Sequence, residues 1–186
     1  AFATVPFYRK QPGASDVFLK TKRSRHDRFT YKAMHDPLTG LYNYTAFDIL
    51  FHDSDQEHIA VLIAQIDRYE QIRQNHGRDC ADRVVCRTAE VLRNNFRSVD
   101  HICRLRTDEF AVIMTRITSE EKGLVLAKIE RANHTLQVEK ENMPAVSLSV
   151  GVAFSDREAP EGDIFQDADT ALKRLKDKNQ TGYAVF

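Results

Sequence analysis

Residues 102–114, ICRLRTDEFAVIM, hold two apolar runs parted by Arg106, Thr107, Asp108 and Glu109. Runs of strand length this close in sequence pair only antiparallel, because a parallel return needs a crossover of roughly a dozen residues. The hairpin therefore excludes an all-parallel doubly wound sheet. Around it the pattern alternates. Upstream, DPLTGLYN (36–43) carries Pro, Gly and Asn punctuation and leads into YTAFDILFHD, where Phe47, Leu50 and Phe51 share one helical face. HIAVLIAQI (58–66) is a continuous apolar run of strand length, and RYEQIRQN reads as a short helix ending near Gly77. Asp79 is placed to cap a second helix, in which Val85, Ala89, Leu92 and Phe96 recur at helical spacing. Downstream the pattern predicts a helix over about 119–139, the strand AVSLSVGVAF, a helix over about 163–178 and a terminal strand GYAVF. Strands alternating with helices around a central hairpin imply an α/β fold with a mixed sheet.

The chain of 186 residues fits one domain with a short appendage. Lys plus Arg and Asp plus Glu number 27 each, so no global field recruits nucleic acid, and an anionic ligand needs a local site. No apolar run approaches the roughly 18 residues of a membrane span, and no signal peptide opens the chain, so no membrane contact is expected of it. The three cysteines, Cys80, Cys86 and Cys103, lack C-x-x-C spacing and read as packing residues in a reducing, cytoplasmic setting. The seven histidines are scattered and form no metal-ligand pattern. Residues 1–35 carry eight Lys or Arg against Asp16 and Asp27. They read as a basic lead-in or linker, with the end of an upstream sensory module as the other reading.

The turn of the hairpin is unusual. Glycine takes positive φ at a tight tip without steric cost, yet Arg106 and Thr107 stand there, followed by two carboxylates. DPLTGLYN, IDRYEQI after the first strand, NHGRDCAD, RLRTDEF and VSLSVGVAF, taken in order, resemble the landmarks of a GGDEF domain, the module of diguanylate cyclases. The likeness runs over about residues 36–186. It implies a nucleotidyl cyclase-type palm fold, with a central five-stranded mixed sheet flanked by helices. In active members it also implies a dimer that joins two GTP molecules into cyclic di-GMP.

Such chemistry needs Mg²⁺ held by carboxylates, backbone that approaches a triphosphate closely, and positive charge on the outer phosphates. The resemblance aligns the two signature glycines with Arg106 and Thr107, and the metal-binding aspartates with Gln65 and Asp108. Only Asp108 offers a carboxylate, so no metal site is expected beyond this remnant. Asp67 is read as the start of the following helix rather than a replacement ligand. The phosphate-binding lysine of the helix after the first strand aligns with Glu70, and the guanine-reading asparagine with Arg73. Asp82 and Lys176 match a retained guanine contact and a second phosphate-binding lysine, as a remnant GTP pocket. With Asp108 and Glu109 read as remnants of a catalytic hairpin, no catalytic residue is expected to function, and no cofactor is required. Mg²⁺ enters only if residual GTP binding persists.

RSVD, Arg97 to Asp100, matches in spacing and offset the R-x-x-D inhibitory site at which many GGDEF domains bind cyclic di-GMP. An arginine fork meets guanine O6 and N7, and a carboxylate accepts from N1–H and N2–H. In many relatives a further arginine from the next helix completes the site. Lys128 holds that position here, with Arg131 one turn on. These residues point to a degenerate GGDEF domain that binds cyclic di-GMP as a receptor or regulatory module in bacterial second-messenger signalling, as a homodimer or beside a partner signalling domain. Two alternatives stay open: a protein interaction or dimerisation module without nucleotide, and a residual diguanylate cyclase or GTP-binding domain.

Overall fold

The computed structural model describes residues 31–54, 57–140 and 143–186. The basic lead-in patches before residue 31, and most of the linker helix expected over RHDRFTYKAM, lie outside the described residues. Residues 31–34 of that segment are helical. Met34–Phe186 form one compact unit.

Helix α1 (Tyr44–Asp53) is capped by the Asn43 side chain, which accepts from the Ala46 amide. Strand β1 (Ile59–Ile66) leads into α2 (Tyr69–Asn95), which breaks at Gly77, where φ is 81°. That left-handed backbone suits glycine and divides α2 into the two helices the sequence predicts. The hairpin is β2 (His101–Arg104) and β3 (Glu109–Thr115). A 3₁₀ turn over Ser119–Glu121 continues into α3 (Lys122–Leu136), so the helix expected over 119–139 is shorter at both ends. Strand β4 (Leu148–Phe154) starts three residues later than AVSLSVGVAF suggests, because the Val146 amide turns back to the Leu136 carbonyl, 3.1 Å away. Helix α4 (Ile164–Asp177) is opened by an Asp163–Gln166 capping box, and β5 (Gly182–Val185) closes the sheet.

The strand order is β2-β3-β1-β4-β5. All neighbours run antiparallel except β4 and β5, which makes this the five-stranded mixed sheet. Central β1 shows why its sequence is apolar throughout. Ala60, Leu62, Ala64 and Ile66 join α2 and α3 in one core, while Ile59, Val61 and Ile63 meet Phe47 and Phe51 of α1 and Ile164, Ala168 and Leu172 of α4 in the other. A period of two feeds both faces of a sheet covered on both sides. Gly151 on β4 lets α4 lie directly on the sheet: a Cβ there would stand 2.0 Å from the Ala168 carbonyl oxygen. Cys80 and Cys103 are buried, and burial pushes the Cys103 thiol up to about 12, as suits a packing residue.

Candidate functional site

Sheet register brings the residues at the end of β1 to the base of the hairpin, since Gln65 pairs with Glu109 on β3 and with Ser149 on β4. Gln65 Nε2 donates to Asp108 Oδ2 at 2.8 Å, and Lys176 Nζ, from the last turn of α4, donates to Gln65 Oε1. A chain of ammonium, amide and carboxylate therefore runs from Lys176 through the two aligned metal positions. The donor set does not suit Mg²⁺, which prefers carboxylate oxygen: the amide turns its N–H groups toward Asp108, and a fixed cation sits on its oxygen. Among the described residues no cluster of three or more His, Cys, Asp or Glu could hold a metal. Asp67 does not cap α2 as the sequence suggested. Its carboxylate accepts from the Ser147 and Ser149 hydroxyls at 2.6 Å each, and the cap position belongs to Arg68, without a side-chain bond.

The hairpin tip turns without positive φ at Arg106 or Thr107. Arg104 holds it instead. Its Nε donates to the Arg106 carbonyl at 3.1 Å and its Nη2 to the Thr107 carbonyl at 2.7 Å, while Nη1 pairs with Asp36 at 3.0 Å. Burial raises the Asp36 carboxyl, but hydrogen bonds from Thr39 and the charge of Arg104 outweigh it and hold Asp36 below the usual range. Glu109, half-buried beneath the tip, is pushed up by desolvation, opposed by Arg106. The sequence reading passed over Arg104 and Asp36, although Asp36 opens the DPLTG turn.

Glu70 and Arg73 pair with each other. Arg73 donates to the Glu70 carboxylate at 2.9 and 3.0 Å, and Gln74 adds a third bond. The carboxylate that stands where the resemblance places a phosphate-binding lysine is thus paired with the neighbouring replacement, Arg73. Asp82 is half-exposed and lies 3.8 Å from Arg78. Tyr69 was also missed. Burial raises its phenol, Asp82 and Asp108 raise it further, and Arg104 and Arg73 oppose them, so its hydroxyl lies within the field of all four.

RSVD forms a second cluster where α2 ends. Asp100 Oδ2 accepts from the Arg97 amide at 2.9 Å, and the Arg97 fork meets the same carboxylate at 2.7–3.1 Å. Arg97 Nη2 also donates to the Thr115 carbonyl at 2.7 Å. The Asp100 side chain is 0% exposed and that of Arg97 is 41% exposed. The two residues are brought together, but Asp100 faces inward and is spent on Arg97 rather than open to a ligand. Lys128 Nζ donates to the Asn95 carbonyl at 2.7 Å and sits over the Phe96 ring. Arg131 is exposed one turn further along α3.

Residues 33–181 match the family described as Diguanylate cyclase, GGDEF domain. The chain belongs to the GGDEF family. This GGDEF domain is 28% identical over 156 residues to Diguanylate cyclase DgcM of Escherichia coli, covering 81% of this chain and 38% of DgcM. It is 27% identical over 162 residues to the bifunctional diguanylate cyclase/cyclic di-GMP phosphodiesterase MucR of Pseudomonas aeruginosa, covering 83% of this chain and 24% of MucR. The GGDEF domain thus spans less than half the length of these relatives. Its fold matches the coiled coil and GGDEF domain of DgcB from Caulobacter crescentus in complex with cyclic di-GMP, with a TM-score of 0.79 at 20% identity, over 92% of this chain and 95% of that one.

Proposed function

We propose that this GGDEF domain makes no cyclic di-GMP and instead binds it, as the receptor part of a bacterial signalling protein. One observation carries the reading: Arg97 is exposed yet already oriented, with its fork anchored on buried Asp100 and its Nη1 without a partner among the described residues. A preoriented guanidinium loses little freedom on meeting a guanine edge or a phosphate. Asp100 acts here as a positioning residue. The closed Lys176–Gln65–Asp108 chain supports the loss of synthesis, since two electrostatic elements of phosphoryl transfer are replaced by internal bonds. No membrane contact by this segment is part of the reading, and no helix among the described residues is long and apolar enough to cross one. A cytoplasmic setting follows from the nucleotide.

Calorimetric titration with cyclic di-GMP, run beside a GTP turnover assay with Mg²⁺ or Mn²⁺, tests both halves. Binding without product is expected. Arg97→Ala should weaken binding by roughly 10- to 150-fold, the fold-change of about 1.5–3 kcal/mol for a hydrogen bond made by a charged group. The names of the curated relatives favour a second reading, a residual cyclase, and product above a no-protein control would establish it. If neither ligand binds, the domain serves as an interaction module.

A further inference from the structure

Arg68, Gln71, Asn75 and His76 recur at helical spacing where α2 begins, and with Gln137, just past the end of α3, they line a cavity of about 310 Å³. Glu70 and Arg73 fall on another face of the same helical turns and do not line it. Ile72 and Val146, both buried, give the cavity its apolar part. Its frame is held by polar bonds between elements. The Asp67 amide donates to the Ser147 carbonyl at 2.9 Å, and the Asn133 side chain exchanges two bonds with the Leu148 backbone at 2.7 and 3.0 Å. Arg87, 5% exposed, donates Nη2 to the Thr135 and Val138 carbonyls at 2.8 and 2.6 Å, and so holds the backbone on both sides of Gln137. The side chains of Arg68, Gln71, Asn75, His76 and Gln137, by contrast, make no hydrogen bond or ion pair among the described residues. A fixed frame around uncommitted polar groups loses little freedom when a ligand enters.

The lining carries both signs of charge. Arg68 is exposed, and its fork is free to take a carboxylate in two parallel bonds. Asp67 also lines the cavity and has no cationic partner; the Ser147 and Ser149 hydroxyls occupy two of its about four acceptor positions. A molecule with a carboxylate and an ammonium on one carbon meets both residues at once. The carboxamides of Gln71, Asn75 and Gln137 each donate and accept, which suits an amide side chain on that molecule. Ligand sites span about 300–1,000 Å³, so this volume suits one small molecule. We propose that the cavity binds a free α-amino acid with an amide side chain, its carboxylate on Arg68 and its ammonium on Asp67. The site is separate from the R-x-x-D motif and does not depend on cyclic di-GMP binding.

The test is calorimetric titration of the full chain with L-glutamine and with glutaramate, which is L-glutamine without its ammonium group. Arg68→Ala should weaken L-glutamine by roughly 10- to 150-fold, the range for a hydrogen bond made by a charged group, and glutaramate should bind the unsubstituted chain more weakly by a similar factor. Ala145→Phe, which fills the cavity from its rim, should abolish binding. Arg68 and Ala145 are exposed, so both variants should keep the thermal midpoint of the unsubstituted chain. Equal binding of glutaramate would overturn the assignment to Asp67. Full affinity in Arg68→Ala or in Ala145→Phe would place the amino acid elsewhere and overturn the site, as would no binding by the unsubstituted chain.

Discussion

Asp36 and Arg104 show how one ion pair fixes a loop that lacks its expected glycines. Each side chain is mostly enclosed, at 15% and 12% exposure, and Arg104 spends its remaining donors on the tip carbonyls. Because the Asp36 carboxyl is held low in the fold, its stabilisation is complete above the ordinary aspartate range and is lost as pH falls through the lowered value. Asp36→Asn should therefore cost about 1.5–3 kcal/mol at neutral pH, the range for hydrogen bonds to a charged group. The difference from the unsubstituted chain should shrink in acid. Urea unfolding at neutral and acid pH measures both. Glu109 acts in the opposite sense, since its raised pKa favours the fold while protonated, and that contribution fades as pH rises through the raised value.

The hairpin itself is held by Arg104 rather than by glycine at its tip. Its arms keep the register of β2 with β3 and of β3 with β1, and Phe110 is fully buried at the start of the second arm. The tip adopts no positive φ, so glycine there is not required by the backbone that is present. Restoring glycine with Arg106→Gly and Thr107→Gly together should not produce cyclic di-GMP from GTP, because Gln65 and Lys176 still close the space beside Asp108. Chromatography of the reaction is the measurement, and robust product would show that the tip alone withholds activity. The same change should loosen the turn, as two glycines lose more backbone freedom on folding.

A ligand that binds only the folded chain raises its stability by mass action. At a free cyclic di-GMP concentration of 100 times Kd the gain is about 2.7 kcal/mol. For a domain of about 150–250 residues each kcal/mol moves Tm by about 2–4 °C, so a rise of roughly 5–10 °C is expected. Thermal unfolding with and without the nucleotide reads it directly, and Arg97→Ala should remove most of the shift.

Much of this architecture was legible without coordinates because it is written in short-range periodicity. The hairpin, the apolar run of β1, the break at Gly77 and the helical faces of Phe47 and Phe51 each follow from spacings within a few residues, where side-chain direction is set by local geometry. The ordered motifs, DPLTGLYN through RLRTDEF, likewise announced the family. What the tertiary structure alone decided is which polar groups meet. Arg104 reaches Asp36 across 68 residues and Lys176 reaches Gln65 across 111, through sheet register that no local pattern encodes. The same holds over three residues at a helix end: RSVD named an arginine and a carboxylate, but only the packed fold turned Asp100 inward to hold Arg97. A buried carboxylate must find a partner when water is removed, and the partner is whichever cation the folded chain brings within reach.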